Sequence, residues 1–155
     1  MRVFVDTEFT DFIDCNLISI ALVADDGREF YGELSDFDVS TCSQFVYAAV
    51  LPQLGQYPGR VFARDELRLA LLKWLDEFTG ESERMLCFDN GSDWELLCDA
   101  LDEVPSGWLA LHVGGMLDPR RLEEYFREHG GRHHALSDAR ANRYAMGDAD
   151  AVRYD

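Results

Sequence analysis

No apolar stretch in the sequence approaches the roughly 18 residues that suggest a membrane-spanning helix. The opening Met1-Arg2-Val3-Phe4-Val5 has neither the basic head nor the apolar centre of a secretory signal. A cytoplasmic protein without membrane association is therefore expected. Cysteine is sparse and scattered: Cys15, Cys42, Cys87 and Cys98 form no C-x-x-C pair, which argues against a zinc site or a disulfide framework and predicts reduced, packed thiols. Basic side chains are outnumbered, 14 Lys and Arg against 30 Asp and Glu, for a net charge of -16. Such a field repels duplex DNA and anionic membranes, so any nucleic acid handled here must be held by local contacts. Internal repeats, low-complexity tracts and linkers are also missing. What remains is 155 residues with 47% hydrophobic content, enough for one domain, residues 1–155, with a real core.

The pattern of apolar residues predicts strands first and then alternation with helices. Arg2 to Phe9 reads as a strand that ends in an acidic pair, Leu17 to Val23 as a second strand closed by Asp25-Asp26-Gly27, and Arg28 to Leu34 as a third. These three form an antiparallel meander. Thr41 to Val50 predicts a helix, Gly55 to Gly59 an exposed loop, and Arg64 to Phe78 a helix whose apolar face holds Leu67, Leu69, Ala70, Leu71, Trp74, Leu75 and Phe78. Met85 to Phe88 is a buried strand. Ser92 and Glu95 have capping-box spacing, so a helix is expected to begin there and to bury Leu96, Leu97, Ala100 and Leu101. Trp108 to Val113 is a fifth strand, followed by helices at Asp118 to His129 and Ala135 to Met146 separated by Gly130-Gly131. The whole predicts an α/β domain with a mixed five-stranded sheet covered by helices.

Acidic residues stand at the ends of these elements in three places: Asp6 with Glu8, Asp89 with Asp93, and Asp138. Residues two apart on a strand share a face, so Asp6 and Glu8 project together from a segment otherwise bound for the core. Carboxylates that close repel unless a cation lies between them. Oxygen ligands of this kind suit magnesium or manganese, and a pair of such ions promotes hydrolysis of phosphodiesters. His133, five residues before Asp138 at a glycine-rich helix entrance, has the chemistry of a general base near neutral pH.

Asp6-Thr7-Glu8-Phe9 and the run His133-His134-Ala135-Leu136-Ser137-Asp138-Ala139-Arg140-Ala141 match D-x-E and H-x-A-x-x-D-A-x-A. In these the chain resembles the DEDDh 3′-to-5′ exonucleases, relatives of polymerase proofreading subunits, ribonuclease T and oligoribonuclease. The resemblance covers essentially the whole chain in motif order and implies a ribonuclease H-like fold. It implies that Asp6, Glu8 and Asp138 bind two divalent cations, Mg2+ or Mn2+, and that His133 is the general base. The middle motif departs from the family: Asn90-Gly91-Ser92-Asp93 is one residue short and carries Ser92 where an aromatic is usual. Asp93, in the first turn of a helix anchored by Leu96 and Leu97, is favoured over Asp89 as the fourth carboxylate. The small size and the ending resemble bacterial, mycobacterial and phage-type exoribonucleases, which implies single-stranded RNA or short oligoribonucleotides as substrate, nucleoside 5′-monophosphates as product, and a homodimer.

Around this motif set, Phe9, Thr7 and Trp94 are candidate substrate contacts, Phe9 as a platform for a terminal base. Core packing is the competing reading for both aromatics. Arg140 and Arg143 read first as solvated helix charges, but they lie on the predicted helix of Asp138 and are also candidates to meet a phosphate. The helix face with Trp74 and Phe78 is a candidate dimer interface. His134 is expected to face solvent or bond locally. Two other functions compete: a DNA exonuclease, and a catalytically impaired binding module that has lost a metal through its shortened middle motif.

Overall fold

Alternating apolar side chains draw the first strand, β1 (Arg2–Phe9), into the middle of the sheet. A computed structural model describes residues 1–147, so the last eight residues of the expected 1–155 domain lie outside the described part. Strand β1 pairs antiparallel with β2 (Leu17–Ala24), which pairs antiparallel with β3 (Glu29–Leu34), giving the expected meander. On its other side β1 pairs in parallel with β5 (Met85–Phe88), and β5 with β6 (Leu109–His112).

The sheet has six strands rather than the expected five. The addition is β4 (Val61–Phe62), a two-residue strand beside β3, and the full order is β4-β3-β2-β1-β5-β6. Two residues are too few to write an alternation into the sequence. Phe62 is held there by stacking on Phe30, with ring centroids 6.3 Å apart.

Helices cover both faces, which is why every residue of β2 is buried. One face carries Val3, Val5, Ile20, Leu22 and Phe30 and packs against α2 (Arg64–Asp76) and α3 (Gly91–Leu101). The other carries Ala21, Val23 and Tyr31 against Ala135, Leu136 and Ala139 of α5 (Ala135–Met146). Small side chains along α5 let it approach the sheet closely. Phe4 and Cys87 meet Ala145 on this same side, next to α4 (Pro119–His129). No described helix is long and apolar enough to cross a membrane. All four cysteines are free thiols.

Several local expectations shift. The helix expected over 41–50 is shorter, α1 (Gln44–Ala49), because the Ser43 side chain accepts from the Val46 N–H and caps it there; Val39–Thr41 forms a separate 3-10 turn. Helix α3 begins before Ser92: Asn90 is its cap, with Oδ1 accepting the Ser92 N–H at 3.1 Å. Leu69 is 66% exposed, so the apolar face of α2 is narrower than expected. Trp74 and Phe78 are not an interface. Both are buried, Phe78 lying between Trp74 at 4.8 Å and Trp108 at 5.7 Å with the Arg28 guanidinium 3.7 Å over its ring.

Phe78→Ala is expected to destabilise the domain by about 3 to 5 kcal/mol, the range for emptying a packed aromatic site. Chemical denaturation of the two proteins measures this, and a change below about 1 kcal/mol would contradict such packing.

Candidate active site

The alternation of β1 distributes its last residues between two helices. Val3, Val5 and Thr7 face α3, while Phe4, Asp6 and Glu8 fall on the side of α5. Thr7 meets Asp93 in the first turn of α3: Asp93 Oδ1 accepts from the Thr7 hydroxyl at 2.6 Å and from the Thr7 N–H at 3.0 Å. Beyond Glu8 the register with β2 shifts by one residue, a bulge that ends regular pairing at the acidic strand end. Strand β5, in step with β1 as far as the Val5 and Phe88 pair, delivers Asp89 beside Asp6. Asp138 arrives from the first turn of α5.

The outcome is a cleft of about 400 Å³ lined by Asp6, Glu8, Asp89, Asp93, His133 and Asp138 on its polar side and by Phe9, Phe12, Phe45 and Val46 on its apolar side. Ligand oxygens of Asp6, Glu8 and Asp138 lie within 4.8 Å of one another, and so do those of Asp6, Asp89 and Asp93. The one-residue shortening of the middle motif therefore does not remove a carboxylate from the cleft. Asp93 is there, and Asp89 stands with it.

His133 adopts a left-handed backbone conformation, φ +64, unusual for a residue with a β-carbon. Two contacts hold it. Its N–H donates to Asp138 Oδ2 at 3.1 Å, and the Gln53 side-chain amide donates to the carbonyls of Arg132 and His133 at 2.8 and 3.1 Å. Phe45 meets the His133 ring edge-on at 4.8 Å. His134 neither faces solvent nor makes a local side-chain hydrogen bond, the two outcomes expected of it. It is buried, stacked on Tyr31 at 4.8 Å and next to Tyr57 at 5.6 Å, and so wedges the start of α5 against the sheet.

Crowding of like charges out of water raises the carboxyl pKa values. Burial, then the Asp93, Asp138, Glu8 and Asp89 carboxylates, push Asp6 well above the ordinary range. Burial with Asp138 and Asp93 takes Glu8 to about 8. Burial likewise takes Asp93 and Asp138 to about 7, although the Thr7 hydroxyl and the His133 N–H pull the other way. Burial, and secondarily the Arg132 charge, lower the His133 pKa. Asp89 Oδ1 and Asp138 Oδ1 are buried without any hydrogen-bond partner. Acceptor oxygens without donors, set among like charges, fit a divalent cation.

Phe9 lines the cleft. Thr7 does too, but its hydroxyl is committed to Asp93, so it supports a carboxylate. Trp94 is not among the cleft-lining residues: it stacks on Phe88 at 5.6 Å and packs on the core. Arg140 forms a two-pronged pair with Glu29, at 2.8 and 2.6 Å, and Arg143 donates to the Asp25 carbonyl. Glu29 occupies the Arg140 guanidinium, Arg143 has one donor on a backbone carbonyl, and neither arginine lines the cleft. Phe12, Phe45 and Gln53 went unnoticed in the sequence. Phe12, an aromatic amid the acidic run Asp11 to Asp14, carried a signal, whereas a Gln acting on backbone 79 and 80 residues away carried none.

No protein-family model matches the chain. It is similar to two proteins of Mycobacterium tuberculosis, from two strains, each named a 3′-5′ exoribonuclease; each is 35% identical over 100 residues. The matched stretch covers 63% of this chain and 60% of each relative, so the chain matches about three fifths of the length of those proteins.

Unfolded carboxyls titrate near pH 4, so between roughly pH 4 and pH 8 the folded protein holds protons that the unfolded chain has released. The contribution of these groups to stability therefore falls as pH rises through that window. Without cations, the melting temperature is expected to drop between about pH 5.5 and about pH 8.5, and added Mn2+ is expected to raise it more at the higher pH. Melting curves at both pH values check this; an Mn2+ response equal at both would contradict it.

Proposed function

We propose that this chain is a divalent-cation-dependent exoribonuclease of the DEDDh kind. It removes nucleoside 5′-monophosphates from the 3′ end of single-stranded RNA or short oligoribonucleotides. One observation carries this reading: Asp6, Glu8, Asp93 and Asp138 converge with His133 in one cleft that also has an apolar wall. The names of the two mycobacterial relatives support the reaction and the substrate class.

Asp6, Glu8, Asp93 and Asp138 would hold Mg2+ or Mn2+. When bound, such ions supply an activated water and offset the charge that builds on the departing oxygen of a phosphodiester. His133 accepts the proton of the attacking water at a ring nitrogen. Its lowered pKa keeps that nitrogen free to do so at neutral pH. The bond broken joins phosphorus to the 3′ oxygen of the preceding nucleotide, leaving the phosphate on the released mononucleotide. Phe9, Phe12 and Phe45 offer π faces and edges to a terminal base, and stacking of this kind ignores base identity. A net charge of -16 leaves little long-range attraction for a polyanion and favours short single strands.

Asp6→Ala is expected to abolish turnover. His133→Ala is expected to lower kcat by about 10² to 10⁴ while leaving KM and Mn2+ affinity within about twofold, the behaviour of a lost general base. Steady-state hydrolysis of a single-stranded RNA, beside DNA of the same sequence, measures both effects and the substrate preference. A fully active Asp6→Ala protein would overturn the reading.

A further inference from the structure

The four-carboxylate scheme leaves Asp89 without a role, yet its side chain enters the cleft. Resting on the reading of this cleft as a divalent-cation centre, we propose that Asp89 is a fifth carboxylate ligand. Asp6 is then shared by two cation positions, one bounded by Asp6, Glu8 and Asp138 and the other by Asp6, Asp89 and Asp93.

The two groups of ligand oxygens, each within 4.8 Å, have only Asp6 in common. Asp6 is 8% exposed, lines the cleft, and its carboxylate receives no hydrogen bond among the described residues. Asp93 Oδ1 is occupied by the two Thr7 donors. Asp89 Oδ1 is buried with no donor at all, so the Asp89 carboxylate keeps an oxygen that no hydrogen bond occupies.

The backbone around Asp89 is fixed from both sides. Phe88 is in register with Val5 of β1, and the Phe88 carbonyl accepts the Val113 N–H at 2.8 Å. Gly114 then passes so close that a β-carbon on it would lie 2.7 Å from the Asp89 carbonyl oxygen.

The extra ligand has a chemical consequence. Mg2+ is commonly held by one or two carboxylates and completed by substrate phosphate oxygens. A position bounded by three carboxylates is instead electrostatically able to hold its cation before substrate arrives. The free protein is therefore expected to bind two divalent cations, and Asp89→Asn, which keeps the side chain's shape, to bind one with unchanged affinity and the other at least about tenfold more weakly.

Isothermal titration with Mn2+, without nucleic acid, on the wild-type chain and on Asp89→Asn tests this. Mn2+-dependent melting shifts of both proteins give a second readout, and circular dichroism reports the fold of the variant. Two sites in the wild type, one of them lost or weakened at least about tenfold in a folded variant, support the proposal. Identical stoichiometry and affinity in the two proteins overturn it while leaving the cation centre intact. A wild-type protein that binds no Mn2+ overturns both this proposal and the functional reading beneath it.

Discussion

Carboxylates gathered at the end of a central strand repel one another, and the rest of the site is arranged around that repulsion. Asp6 and Asp93 are more than nine-tenths buried, and Glu8 and Asp138 are partly buried beside them. Water does little to screen charges in such a place, so the folded chain retains protons on them at pH values where free carboxyls have lost theirs. The surroundings keep the carboxylates from moving apart. Strand β1 is locked between an antiparallel and a parallel neighbour, Thr7 ties Asp93 to it, and His134 and the small residues of α5 press Asp138 toward it.

This confinement depends on the topology. A strand offers alternate side chains to opposite faces, so one strand alone could aim Asp6 and Glu8 only to one side. Helix α3 on one face and α5 on the other return to the same strand end, and their first turns bring Asp93 and Asp138. The backbone carrying His133 is bent into a left-handed conformation, at a cost on the order of 1 to 3 kcal/mol. Bonds from Gln53 and to Asp138 hold that conformation, and they place the imidazole at the rim of the cleft.

Elements written by periodicity were legible in the sequence. The three-strand meander, the helices over 64–76 and 119–129, and the final helix all follow from spacings of two or of three and four. Asp6, Glu8, His133 and Asp138 were legible because strand alternation and motif spacing confine them to short segments. What the sequence did not disclose depends on contacts between distant segments. Two residues of β4 are a strand only because β3 lies alongside. Arg140 and Arg143 read in the sequence as solvated helix charges or phosphate contacts, and only the fold sets Glu29 and the Asp25 carbonyl beside them. His134 reads in the sequence as exposed or locally hydrogen-bonded and is buried in the fold, because Tyr31 arrives from the far side of the meander. Asp89 and Asp93 looked like alternatives along one segment, whereas the end of β5 and the turn into α3 bring both to Asp6.

The central claim is that this cleft cleaves RNA from its 3′ end with the help of divalent cations. The most direct measurement follows the products of one single-stranded RNA, labelled at its 5′ end in one sample and at its 3′ end in another, with Mn2+ and with a chelator. The account predicts immediate release of labelled mononucleotide from the 3′-labelled strand, stepwise shortening of the 5′-labelled strand, and neither in chelator. Internal cuts, mononucleotide released first from the 5′ end, or undiminished cleavage in chelator would contradict it.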